Sequence, residues 1–180
     1  MVEWKITNVV FTIRFNTSFP VDKLASILIN NGVSVDYEPE SFPALIITLE
    51  NNKGKAKKIT LFKSGVINTY GLKKIDEIND VIDKIKKLFS KYGINLPNDY
   101  KVKLSNIVIA GRFDYKDIDI VRIFYDFENV VYDPEQFPAI SIPYYISENN
   151  KVTFTIFKDG HFVCAGIRTD LNNLDQTIDN

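Results

Sequence analysis

The sequence predicts an α+β fold in which two tandem copies of one half-unit join their antiparallel sheets into a single long curved surface. Amphipathic helices would cover one face and leave the other bare. Three observations lead there. Tyr37-Glu38-Pro39-Glu40-Ser41-Phe42-Pro43-Ala44 recurs as Tyr132-Asp133-Pro134-Glu135-Gln136-Phe137-Pro138-Ala139, 95 positions further on. The same shift lays Leu61-Phe62-Lys63-Ser64-Gly65 over Ile156-Phe157-Lys158-Asp159-Gly160, and Gly71 over Gly166. Self-similarity at a fixed period marks a repeat. Within each copy, strand and helix patterns segregate instead of alternating as βαβ units, which indicates α+β. Finally, the helix candidates carry one apolar stripe each, and a sheet covered on one side leaves the other for water or a partner.

In chain order, residues 4–15 are β-rich and partly alternating, a long strand. Pro20 sits near a helix start, Leu24, Ile27 and Leu28 share a helical face, and Asn31-Gly32 stops it. Val33 to Tyr37 reads as a short strand. Pro39 and Pro43 punctuate a turn, and Ala44 to Glu50 is a second β run. Lys57 to Phe62 and Val66 to Tyr70 flank the tight turn Ser64-Gly65 and complete an antiparallel meander. Ile75 to Tyr92 is the clearest helix. Ile75, Ile78, Ile82, Ile85 and Phe89 form its stripe, lysines fill its C-terminal half, and Gly93 ends it.

The second copy repeats this order. Val102 to Asp114 is the long strand, Ile118 to Phe124 the short helix and Val130 to Tyr132 the short strand. Pro143 breaks Ala139 to Ile146 and suggests an edge or a bend. Val152 to Phe157 and Phe162 to Ile167 close the meander, and Asp170 to Ile178 would be a shortened second long helix. The domain reading is residues 1–94 as the first repeat, 95–101 as a linker, and 102–180 as the second repeat with a truncated final helix.

Composition narrows the function. A chain of 180 residues, 45% apolar, can bury a sizeable core. A single cysteine, Cys164, excludes an internal disulfide, and with only His161 beside it a His/Cys metal site is implausible. No cofactor is expected, and no phosphate-binding glycine loop or nucleophile triad is visible, so no enzyme is expected. The paired acids Glu38/Glu40 and Asp133/Glu135 read as turn residues beside prolines. No apolar run reaches a membrane span, and the N-terminus lacks signal-peptide regions, which points to an intracellular protein. The net charge of -1 argues against affinity built mostly on phosphate neutralisation. Binding to nucleic acid would have to use apolar contacts, which 13 Phe and 9 Tyr could supply.

The bare face supplies such a set. Asn8 and Val10 share one side of the first long strand, as Asn106 and Val108 do in the second. Phe42 and Phe62 flank adjacent turns, as do Phe137 and Phe157. Asn-[Val/Ile]-Val, then Tyr-[Glu/Asp]-Pro-Glu-x-Phe-Pro, then Phe-Lys-x-Gly and a final Gly, present in both halves, resembles the TATA-box-binding protein family, in its archaeal form. The resemblance covers residues 4 to about 178.

That resemblance implies a pseudo-two-fold saddle with helices on the convex face. It also implies that the concave sheet enters the minor groove of A·T-rich promoter DNA, kinks it, and recruits a TFIIB-like factor and, through it, RNA polymerase. Phe42, Phe62, Phe137 and Phe157 would wedge between base steps. Asn8 and Asn106 would donate to minor-groove acceptors, and Val10, Val108 and Val163 would line the apolar floor. Lys73 and Arg168 would meet phosphates. Asp133, Pro134, Glu135 and Gln136 would form the docking surface for the TFIIB-like factor. Location would be cytoplasmic and chromosome-associated in an archaeon, or nuclear in a eukaryote. No membrane and no small-molecule substrate are expected.

The sequence also departs from the family pattern. Val66 and His161 stand where the family has Lys, and Thr48 and Pro143 where it has Arg. Asn68-Thr69-Tyr70 and Val163-Cys164-Ala165 replace Val-x-Thr. These changes imply a divergent paralogue with fewer phosphate contacts and a bulkier floor. They keep open an alternative, a protein-interaction module that regulates transcription factors. Lys53, Lys55, Lys57 and Lys58 could touch phosphate or merely solvate a loop, and the lysine-rich helix could be a partner surface or a solvated face.

Overall fold

The computed structural model describes residues 2–52, 55–115, 117–148 and 150–168. Its elements are β1 (Glu3–Phe15), α1 (Val21–Asn30), β2 (Val35–Asp36), β3 (Ala44–Asn52), β4 (Lys55–Phe62), β5 (Val66–Tyr70), α2 (Glu77–Lys91), β6 (Tyr100–Arg112), α3 (Ile120–Asp126), β7 (Ala139–Ser147), β8 (Asn150–Phe157) and β9 (His161–Ile167). The expected helix over Asp170 to Ile178 lies outside the described residues. The chain packs as two compact units, one of residues 8–105 and one of residues 1–7 with 106–180. Each long strand therefore gives its first residues to one unit and the rest to the other. The ladders within each unit are antiparallel.

In the unit of residues 8–105, strands run in the order β2-β3-β4-β5-β1. Alternation along β1 sends Val9, Phe11, Ile13 and Phe15 into the core, while Asn8, Val10, Thr12 and Arg14 take the opposite side. Leu45, Ile47, Ile59, Leu61 and Ile67 are fully buried, as are Leu24 and Leu28 of α1 and Val81, Ile85 and Phe89 of α2 at 2% exposure or less. Phe19 links the two helices' ends, with its ring centroid 5.9 Å from that of Phe89. Both helices stop at a glycine in the left-handed region. Val33 N–H reaches back to Leu28 O at 3.0 Å past Gly32 (φ 72°), and Ile94 N–H to Phe89 O at 3.0 Å past Gly93 (φ 73°).

An ion-pair network fastens α2 to the sheet. Lys57 of β4 bridges Glu77 at 2.6 Å and Glu50 of β3 at 3.2 Å. Lys84 bridges the same Glu50, and Asp80 at 2.6 Å. Hydrogen bonds from Lys84 and then Lys57 hold the Glu50 carboxyl below its ordinary range, and the bond to Glu77 leads in raising Lys57.

In the other unit the order is β6-β9-β8-β7. Its core includes Ile107, Ile109, Phe162, Cys164 and Ile167. Under α3, Ile120 meets Ile140 and Ile142, with Ile118, Ile123, Val130, Tyr132, Phe154 and Ile156 packed around them. α3 starts two residues later than the sequence pattern suggests because Asp119 caps it, accepting Arg122 N–H at 3.0 Å.

Two expectations are overturned. Pro143 does not break its strand, since β7 is continuous and Pro143 pairs with Thr153. It does lie on an edge strand, where a missing N–H is tolerated. Val130 to Tyr132 is not a strand but one bridge, Val131 to Ser141, with both bonds at 2.9 Å. The cause is the same proline. In the other unit Thr48 N–H donates to Ser34 O at 2.9 Å, extending the ladder formed by β2. Asn129 and Pro143 occupy the equivalent positions, and proline has no N–H to give.

Candidate nucleic-acid interface

The phenylalanine pairs are built by two kinds of turn. In the unit of residues 8–105, Phe42 N–H donates to Glu38 O at 2.8 Å. Phe137 N–H donates to Asp133 O at the same 2.8 Å in the other unit. Prolines 39, 43, 134 and 138 stiffen these turns by fixing φ. The second turn of each pair closes on a glycine. Gly65 N–H reaches Phe62 O at 3.1 Å, and Gly160 N–H reaches Phe157 O at 3.0 Å.

Strand pairing then sets the rings side by side. Ala44 faces Phe62 and Ala139 faces Phe157 across their ladders, and each alanine lies two residues after a turn phenylalanine. The Phe42 and Phe62 rings meet edge to face at 5.9 Å and 75°, and Phe137 and Phe157 at 5.7 Å and 70°. Phe42 is 43% and Phe137 48% exposed, unusual for phenylalanine, which normally ends up buried. Phe62 and Phe157 are half-buried.

The asparagines are fixed with the same symmetry. Asn8 Oδ1 accepts Gly71 N–H at 2.9 Å. Asn106 Oδ1 accepts Gly166 N–H at 2.8 Å. A backbone N–H can only donate, so it selects the amide oxygen and leaves each Nδ2 as a donor. Both glycines have positive φ, 86° at Gly71 and 94° at Gly166. A Cβ on Gly71 would lie 2.1 Å from Ala56 O, and one on Gly166 2.9 Å from Lys151 O. The sequence shows the asparagines and the glycines recurring, but not that each glycine tethers an asparagine.

Val10, Val108 and Val163 are half-buried, on the side of their strands away from the core. Ala110 pairs with Val163, so β6 and β9 present Val108, Ala110, Val163 and Ala165 together as an apolar floor. In the unit of residues 8–105 the floor is more polar. Thr12 pairs with Asn68, and Asn68 with Thr60. Thr12 Oγ1 donates to Asn68 Oδ1 at 2.8 Å and lies 2.6 Å from Ser105 Oγ. Tyr70, 38% exposed, pairs with exposed Lys58. This Thr12–Asn68–Ser105 group escapes sequence reading because strand register alone brings it together.

Of the basic residues, Lys73 and Arg168 are exposed. Lys73 and Lys74 N–H both donate to Glu77 Oε1, at 2.9 and 2.8 Å. In the lysine-rich loop, Lys57 is committed to Glu50 and Glu77, while Lys53 lies outside the described residues. Asp133, Pro134, Glu135 and Gln136 are exposed along their turn, where Asp133 Oδ1 accepts Glu135 N–H at 3.2 Å. His161, also exposed, lies 2.6 Å from Asp159 Oδ2, and that contact holds the Asp159 carboxyl below its ordinary range. Cys164 is buried, which pushes its thiol up to about 11. Among the described residues no cluster of His, Cys, Asp and Glu could hold a metal, and no helix is long and apolar enough to cross a membrane.

A family model described as "Transcription factor TFIID (or TATA-binding protein, TBP)" matches residues 3–92 and again residues 101–176. The TATA-box-binding protein of Methanosphaera stadtmanae is 31% identical over 172 residues, spanning 93% of this chain and 86% of the relative. That of Pyrobaculum neutrophilum is 28% identical over 167 residues, spanning 93% and 79%. A solved structure, Methanococcus jannaschii TBP, resembles this one with a TM-score of 0.73 and 27% identity, over 98% of this chain and 94% of that one. The α+β fold expected from the sequence is thus the fold of that structure, and the chain belongs to the TATA-binding-protein family of transcription factors.

Proposed function

We propose that this protein is a transcription initiation factor that binds A·T-rich promoter DNA through the minor groove, kinks it, and recruits a TFIIB-like factor. The observation that carries this reading is the doubled set of one tethered asparagine and one phenylalanine pair, exposed at its turn member, in each unit. The asparagine Nδ2 is a donor, and A·T pairs offer only acceptors, A N3 and T O2, in the minor groove. The valines supply flat apolar contact to base edges. Each phenylalanine pair is a wedge for one base step. This family is the standard example of such wedging, with a bend of ~80°. Unstacking costs a few kcal/mol per step and is offset by the protein surface the bent duplex covers. A chain of net charge -1 can bind DNA in this way because much of the affinity is apolar. Lys73 and Arg168 would add phosphate contacts, and Asp133 to Gln136 would meet the TFIIB-like factor.

The second reading is a protein-interaction module that regulates transcription factors. Asn68 and Tyr70 on the floor, and Val66 and His161 in place of basic residues, favour it. One titration separates the two. Binding to a TATA-like duplex, with and without a TFIIB-like factor, supports promoter recognition. A stable protein complex without binding to any A·T-rich duplex supports the module.

A further inference from the structure

The two units present different floors. At four equivalent positions the unit of residues 8–105 has Val10, Thr12, Asn68 and Tyr70, where the other has Val108, Ala110, Val163 and Ala165. Three of the four pairs exchange a hydrogen-bonding side chain for an apolar one. In the minor groove a G·C pair differs from A·T by one group, the guanine N2 amino donor. An apolar floor that covers this donor strips its water and returns nothing. A floor with a correctly placed acceptor does not.

Asn68 is such a group. Thr12 Oγ1–H donates to Asn68 Oδ1 at 2.8 Å, so Ser105, 2.6 Å from Thr12 Oγ1, is the donor in that contact. The contacts among Ser105, Thr12 and Asn68 fix the amide in place, with its oxygen on Thr12. An amide oxygen has two lone pairs, and only one is used by Thr12. The second can accept from guanine N2, while Nδ2 can donate to the base acceptor beside it. Val163, at the matching place in the other unit, can do neither.

Resting on the promoter-binding reading, we propose that this protein recognises an asymmetric DNA site. The half met by the unit of residues 8–105 tolerates a G·C pair through Asn68, and the half met by the other unit demands A·T.

Equilibrium competition at one salt concentration tests this with three duplexes: all A·T, G·C in one half, and G·C in both halves. The first two are expected to bind within about threefold of each other, and the third about tenfold or more weaker. Asn68→Val should weaken the one-half duplex about tenfold more than it weakens the all-A·T duplex. Val163→Asn should rescue the two-half duplex, and since it adds a group it does not depend on a loss. The inference is overturned if the one-half duplex binds as weakly as the two-half duplex, or if Asn68→Val changes all three alike. Failure to bind even the all-A·T duplex would remove the promoter reading itself, and this inference with it.

Discussion

Asn8 Oδ1 accepts the N–H of Gly71 at 2.9 Å, across 63 positions of sequence, and Asn106 and Gly166 repeat the contact at 2.8 Å. The glycine both holds the amide and fixes which of its ends faces outward. Replacing Asn with Asp keeps the oxygen that accepts the glycine N–H but turns the outward donor into a second acceptor. Asn8→Asp and Asn106→Asp should therefore melt within a few degrees of the parent, yet lose at least about tenfold in affinity for an A·T duplex. Thermal melting and fluorescence anisotropy on the same samples check the two halves of this statement.

The tethering glycines should not accept a side chain. Gly71→Ala places a Cβ against Ala56 O and forces φ 86° on a residue that resists it. Such backbone strain costs on the order of 1–3 kcal/mol. Gly166→Ala meets Lys151 O at 2.9 Å, a milder clash that should cost less. Denaturant unfolding should rank Gly71→Ala as the more damaging.

Much of this was legible in the sequence. The repeated Tyr-acid-Pro-Glu-x-Phe-Pro-Ala segment located the turns that carry Phe42 and Phe137 because turn chemistry is local, written in prolines and acids next to one another. The α2 stripe placed a helix within two residues of its observed start for the same reason. The contacts that matter on the floor, Asn8 with Gly71 and Thr12 with Asn68, depend on register between strands far apart in sequence. Periodicity shows which side of a strand a residue takes, and not which residue lies opposite. Pro143 misled because its effect falls on the outer neighbour, where it ends the pairing of Val131, and not on β7 itself.

The Glu50, Glu77, Lys57 and Lys84 network makes acid stability predictable in sign. Glu50 and Glu77 sit below their ordinary value of 4.5: Glu50 through Lys84 and then Lys57, Glu77 despite the burial that opposes ionisation, through Lys57. Groups with a lowered folded pKa stabilise the fold above the unfolded value and lose that contribution as pH falls through the folded one. Melting temperature should hold from neutrality to about pH 5, then drop as pH falls below the ordinary carboxyl range near 4.5. Glu50→Gln should flatten that drop and lower stability at neutral pH.

Burial pushes the Cys164 thiol up to about 11, so little thiolate exists near neutrality. Iodoacetamide should label the folded protein far more slowly than the protein in denaturant. Equal rates near neutral pH would mean that Cys164 is not buried.

The most direct measurement is the end-to-end distance of a doubly labelled TATA-like duplex, read by energy transfer on adding protein. If the two phenylalanine pairs kink the duplex, the parent should shorten that distance. Phe42→Ala/Phe62→Ala and Phe137→Ala/Phe157→Ala should each restore part of it, with all four replaced leaving any bound duplex straight. A duplex bent equally by the fourfold variant, or bound by the parent without any shortening, would contradict the wedge account.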